Sequence, residues 1–288
     1  EVNDGSCLAN LQVLVDETLP DFGLVGQLGP GAAVAVDGAL VPSPGKGQRW
    51  ELRAAVLRVL GLADPETYPL QKKRHSDEFL RTIAHLRPRT NKYGAMFRVR
   101  SEAAFAVHAF FREQGFHLVH TPIITGSDCE GAGELFRVTT LPVAGSHSAE
   151  SLHPGAGPHL AEAPDPEDAP LAGHALHYAD DFFGKEANLT VSGQLEAEPL
   201  ACALGRVYTF GPTFRAENSN TPRHAAEFWM VEPEMAFTDL AGSMDLAEAF
   251  VKALTRHVVE HCGPDLELFG RFVDTELEAR LVLLLDAP

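Results

Sequence analysis

The stretch Val207–Phe237, VYTFGPTFRAENSNTPRHAAEFWMVEPEMAF, places Arg215 and Glu217 at the end of one strand-like run and His224, Glu227 and Phe228 at the start of the returning one. That is a high density of charge for a β-ribbon. An arginine fixed on a rigid strand can hold a phosphoryl oxygen and stabilise the charge that develops there, which is what phosphoryl or nucleotidyl transfer needs from a protein. A neighbouring aromatic such as Phe228 can stack on a base. On residue types alone a second reading stands beside this one, in which the same side chains form a structural ion-pair network across a hairpin.

The elements that must position these residues can be read from periodicity. Val207–Arg215 and Glu227–Phe237 are predicted strands separated by a polar eleven-residue loop, and a further strand is expected at Leu189–Ser192. Asp239 is placed to cap a long helix reaching His261, with Gly263 to end it. Upstream, Arg100–Gln114 carries apolar residues at helical spacing (Ala104, Val107, Phe111) and Gly115 as a stop. Phe116–Ile124 (FHLVHTPII) follows as a strand whose Pro122 suits an edge or an interface. EFLRTIAHL, ahead of Pro88, reads as a short helix. Leu8–Asp16, Ala32–Val41 and Trp50–Gly61 read as short strands between Gly/Pro turns, the pattern of a small β-barrel.

Residues 142–178 hold six prolines and four glycines but no lysine or arginine, the composition of a mobile surface insertion. Its five histidines (His147, His153, His159, His174, His177) fit no metal-ligand spacing. Cys7, Cys129, Cys202 and Cys262 are far apart with no CxxC pair, which argues against a disulfide scaffold or structural zinc and for reduced, mostly packed thiols. In 288 residues no apolar run could span a bilayer and no basic-then-apolar leader opens the chain, so a cytoplasmic, membrane-free protein is expected.

The net charge of −17 argues against a protein that coats nucleic acid through bulk electrostatics. Its distribution does not. Lys72, Lys73, Arg74, Arg81, Arg87, Arg89, Lys92, Arg98 and Arg100 face only Asp77 and Glu78 across residues 71–100. This patch is either a phosphate contact or a salt-bridged connector between domains.

FRAENSNTPRHAAEF resembles motif 2 of the class II aminoacyl-tRNA synthetases, in the form found in bacterial asparaginyl-tRNA synthetases. GFHLVHTPII resembles motif 1. HTPIITGSDCEGAGELFRVTTL, FFGKEANLTVSGQLEAE, VYTFGPTFRAE and EFWMVEPEMAF are phrased as in the asparaginyl enzymes, so the resemblance spans nearly the whole chain outside the insertion. It implies an α+β protein: an OB-fold anticodon-binding barrel at 1–63 and a hinge at 64–90, then at 91–288 a catalytic antiparallel sheet flanked by helices and interrupted by the 142–178 insertion. The implied activity is asparagine–tRNA ligation by way of an adenylate, with ATP and Mg²⁺, asparagine and tRNA(Asn) as reactants, in a homodimer.

Carried over residue by residue, the resemblance implies that Arg215 binds the α-phosphate, Glu217 meets the adenine amino group and Phe228 stacks on the adenine. His224 or Arg223 approaches the outer phosphates. Glu130 receives the substrate's α-ammonium and Gln194 lies alongside the amino acid. Glu232 and Glu234 help place the amino acid or a metal, and Pro122 belongs to the dimer interface of motif 1. Glu134 is a weaker candidate for substrate contact, and Cys129 is expected to be packed.

Aspartyl relatives carry a lysine where SGQLEAE has Ala197, so the obvious partner for a buried carboxylate is missing and a neutral amide fits better. Motif 3, the late acidic residues that usually hold magnesium and the first barrel strand are not found, which predicts a longer, catalytically complete parent chain and an inactive fragment. Two rival expectations remain, a non-catalytic RNA-binding paralogue and a tRNA-independent asparagine synthetase relative. The barrel-like segment counts against the second of these.

Overall fold

The computed structural model describes residues 1–131, 134–141, 177–219, 221 and 224–286. The 142–178 insertion therefore lies outside the described residues except for its last two positions, and Arg223 lies outside them too. The chain forms two compact units, Glu1–Phe110 with Gly242–Pro288, and Phe111–Ala241.

In the first unit, β1 (Gln12–Leu14), β2 (Ala33–Pro42) and β3 (Trp50–Gly61) form a sheet in the order β1-β3-β2. β2 and β3 pair antiparallel over their full length, with register shifts at Ala33/Val34 and at Asp37/Gly38. A Cβ on Gly38 would lie 2.0 Å from the Arg53 carbonyl oxygen, so only glycine lets the strands close there. β1 pairs parallel with β3 over three residues, whereas the sequence predicts a longer strand from Leu8. Asn3 explains part of the difference, because its amide donates to the Cys7 and Ala9 carbonyls and turns the backbone ahead of β1.

The first unit's helices are α1 (Asp77–Thr82), most of α2 (Asn91–Glu113), α4 (Leu240–His261), α5 (Gly263–Phe272) and α6 (Leu277–Asp286). Ser76 caps α1 through its hydroxyl and the Phe79 N–H. α2 begins nine residues earlier than the periodicity predicts, because its first turns carry Lys92, Gly94 and Arg98 where apolar repeats were sought. Gly263 does not stop α4 but opens α5, with Pro264 in the first turn where its missing N–H costs nothing. Arg98 and Asp265 close a two-pronged ion pair between α2 and α5, at 2.6 and 3.0 Å.

The second unit holds the ribbon. β8 (Arg206–Phe214) and β9 (Glu227–Met235) pair antiparallel, and β4 (His117–Leu118) adds to β8 in parallel. β5 (Ile124–Thr125), β7 (Ala187–Leu189) and β6 (Arg137–Val138) form a second three-stranded sheet. The run Phe116–Ile124, expected as one strand, is thus divided between two sheets. Pro122, which cannot donate to a ladder, lies in the break and is exposed.

α3 (Gln194–Leu204) packs Ala197 and Ala201 on Val207, a core to which Val119 adds. Phe111 stacks on Tyr208 with ring centroids 4.5 Å apart and meets Phe116 edge-on at 5.2 Å. This apolar floor holds β8, and through it the ribbon, against the helices of its own unit.

Of the four cysteines, all free, Cys129 and Cys262 are buried and Cys7 and Cys202 exposed. The expectation of mostly packed thiols therefore holds for half of them. Among the described residues no helix is long and apolar enough to cross a membrane.

Candidate active site

The β8–β9 register dictates which side chains meet. Thr209 lies opposite Glu232, Thr213 opposite Phe228 and Phe214 opposite Glu227. In a strand pair such residues point to the same face, so the ribbon carries two clusters along its length.

The outer cluster stands where β8 leaves the sheet. The Arg215 N–H donates to the Ala226 carbonyl at 3.0 Å, which holds the loop ends together, and the Arg215 guanidinium lies 5.5 Å from the Phe228 ring centroid. Arg215 Nε is buried and makes no hydrogen bond among the described residues. Glu217 and His224 are exposed, and the Thr221 hydroxyl bonds the Nδ1 of His224. The Glu134 carbonyl accepts from the Ala216 N–H at 2.9 Å, so Glu134 reaches this region through its backbone.

The inner cluster centres on Glu232. The Ser192 hydroxyl donates to Oε1 at 2.5 Å and the Thr209 hydroxyl to Oε2 at 2.7 Å, while the Gly193 N–H is shared between both oxygens at 3.2 and 3.1 Å. The chain reaches this position by a tight turn after β7, in which the Thr190 hydroxyl donates to the Ser192 carbonyl at 2.6 Å. Ser192 Oγ also accepts from the Gln194 N–H at 3.1 Å, which joins the start of α3 to the cluster.

Arg215 and Glu232 line one cavity of about 220 Å³, together with Cys129, Ser192, Gln194 and Glu234. Burial pushes the Glu234 carboxyl above the ordinary range, with Glu198 and Glu232 adding like-charge repulsion. Among the described residues no three His, Cys, Asp or Glu side chains are grouped to hold a metal ion.

The structure thus brings Gln194, Arg215, Glu232 and Glu234 to one cavity and sets Phe228 against Arg215. Glu217 and His224 lie on the loop at its outer end. Glu130 falls in a turn of 3₁₀ helix at Cys129–Gly131, beside the lining residue Cys129. Ser192, Gly193 and Thr209 were not foreseen as site residues. Thr209 falls within a predicted strand, but only the observed register sets it across from Glu232.

Arg215 and the fixed Glu232 carboxylate thus line one cavity on an antiparallel ribbon, and sequence and structure comparisons identify the class of protein that carries it. The family model for tRNA synthetases class II (D, K and N) matches residues 76–147 and 156–280, and the chain belongs to that family. It is 62% identical over 288 residues to the asparagine–tRNA ligase of Nitratidesulfovibrio vulgaris, covering 100% of this chain and 58% of that one. It is 58% identical over 280 residues to the asparagine–tRNA ligase of a Nostoc species, covering 97% of this chain and 56% of the relative. The chain thus spans a little over half the length of these curated relatives.

Among solved structures, the asparaginyl-tRNA synthetase of Pyrococcus horikoshii complexed with asparaginyl-adenylate superposes with a TM-score of 0.72 at 25% identity, over 93% of this chain and 53% of that one. The Entamoeba histolytica asparaginyl-tRNA synthetase shares the fold, with a TM-score of 0.69 at 19% identity. The α+β fold class read from the sequence is the one observed.

Proposed function

We propose that the full-length protein is an asparagine–tRNA ligase. The observation that carries this reading is the Arg215–Phe228 pair, with Arg215 lining the same cavity as the fixed Glu232 carboxylate. A cation beside an aromatic face suits a nucleotide's phosphate and base, and the identity to curated asparagine–tRNA ligases supplies the amino acid.

In this reading the asparagine α-carboxylate attacks the α-phosphorus of ATP. A carboxyl–phosphorus C–O–P linkage forms, the bond to the bridging oxygen of the β-phosphate breaks, and pyrophosphate leaves with its electron pair. Arg215, whose buried Nε has no partner among the described residues, stabilises the charge on the α-phosphate oxygens. Phe228 stacks on the adenine and Glu217 accepts from its amino group, while His224 or Arg223 meets the outer phosphates. Glu130 takes the substrate's α-ammonium, and Gln194, Glu232 and Glu234 surround the amino acid. A ribose hydroxyl at the tRNA terminus then attacks the activated carbonyl and releases AMP. Magnesium would supply the counter-charge of the ATP phosphates.

The same reading assigns 1–63 to anticodon binding, 64–90 to a hinge and 91–288 to catalysis, in a cytoplasmic homodimer whose interface includes Pro122. Lys72, Lys73 and Arg74, which are exposed, suit phosphate contacts with tRNA(Asn). The test is charging of tRNA(Asn) by the full-length protein with labelled asparagine or labelled aspartate. Asparagine attached to the tRNA is the expected result. A folded protein that charges neither amino acid would overturn the assignment and favour an RNA-binding paralogue.

A further inference from the structure

We infer that Thr209 and Gly193 are positioning residues for amino-acid selection, acting through Glu232, an inference that rests on the ligase reading above. An ionised carboxylate only accepts hydrogen bonds, and its two oxygens offer about four acceptor sites. Around Glu232 the hydroxyls of Ser192 and Thr209 and the shared Gly193 N–H already occupy much of that capacity. What remains faces a narrow range of directions, and Glu232 lines the cavity. A carboxylate held in this way offers an acceptor to a substrate N–H and repels a second carboxylate. It therefore selects a side-chain amide over a side-chain acid, provided that it cannot swing aside.

Thr209 supplies one restraint. The residue is 4% exposed, and the strand register sets it directly across from Glu232. Gly193 supplies the other, and for a steric reason. Its φ of −88° is open to any residue, but a Cβ there would lie 2.5 Å from Thr121 Oγ1, 3.1 Å from Thr209 Cγ2 and 3.3 Å from Glu232 Oε2. Any side chain at 193 must push on the groups that hold the carboxylate, and proline would also remove the N–H that Glu232 shares. Placement errors of this kind cost affinity and selectivity even where the contacting group itself is intact.

The test uses full-length protein and amino-acid-dependent exchange of pyrophosphate into ATP, with asparagine and aspartate compared in wild type, Thr209→Val and Thr209→Ser. Thr209→Val removes one hydrogen bond to a charged acceptor and should raise KM for asparagine about tenfold. Its kcat and its KM for ATP should change much less, and the preference for asparagine over aspartate should fall. Thr209→Ser, which restores the hydroxyl, should return both values towards wild type. Should Thr209→Val fail to fold, Thr209→Ala carries the same expectation.

A valine variant with wild-type KM and wild-type preference overturns the inference, as does a variant whose KM rises equally for asparagine and ATP. If wild type itself shows no asparagine-dependent exchange, the ligase reading falls and this inference with it. That result is separate from one in which wild type responds and the variant does not differ.

Discussion

The two ends of the β8–β9 ribbon solve opposite problems. At the inner end Glu232 receives three donors, two of them hydroxyls within 2.7 Å. At the outer end Arg215 leaves a buried Nε without a partner among the described residues, and Glu217 and His224 stand in the open. Unpaired buried polar atoms are costly in a finished core, so those that persist in a cavity mark where a ligand completes the bonding. In the proposed reading the inner end would take a small neutral side chain, and the outer end, with its charge unspent, a phosphate. The same strand pair can do both because its register fixes which face and which depth each residue occupies.

Removing the outer cation should break this contrast most severely. Arg215→Ala in the full-length protein should slow adenylate formation by about tenfold to a thousandfold, as for loss of a charge-stabilising donor. Single-turnover kinetics would read it, and near-normal rates would remove Arg215 from its assigned role. Phe228→Ala should have a smaller and more selective effect. It should raise KM for ATP about tenfold, the scale of one lost base-stacking contact, and leave KM for asparagine close to wild type. A rise in both would mean that Phe228 supports the ribbon as a whole.

Glu234 sharpens the comparison from a third side, because it shares β9 with Glu232 and experiences the opposite environment. Burial first, then Glu198 and Glu232, favour its neutral form, so its pKa in the folded protein lies above that in the unfolded chain. The folded state accordingly binds more protons, and the contribution to stability is present below the unfolded pKa and lost as pH rises through the folded one. Glu234→Gln should therefore raise the unfolding midpoint near neutral pH, with the gain shrinking in mild acid. Thermal unfolding followed across that range would show it, and a midpoint lowered equally at every pH would mean that Glu234 makes a hydrogen bond the fold requires.

Much of the ribbon was legible before any coordinates, because alternation over Val207–Phe214 and Glu227–Met235 is a local signal with period two. Arg215, Gln194, Glu232 and Glu234 followed from motif phrasing. What escaped were positions defined by long-range packing. Thr209 reads as one more strand residue until pairing sets it across from Glu232. Gly193 carries no signal of its own until Thr121, Thr209 and Glu232 close around it. The early start of α2 and the break of Phe116–Ile124 between two sheets were obscured for a related reason. Gly94 lowers helix propensity locally and α2 forms through it all the same, while Pro122 does break the ladder, but which sheet takes each flanking strand is decided by pairing far away in sequence.

The most direct measurement is exchange of labelled pyrophosphate into ATP by the full-length protein, with asparagine, aspartate and lysine assayed side by side. Exchange should depend on asparagine and be weak or absent with the other two. Exchange that follows aspartate or lysine instead, or no exchange from a folded protein with any of the three, would contradict the claim that this ribbon pairs a phosphate-holding arginine with a carboxylate set to read an amide.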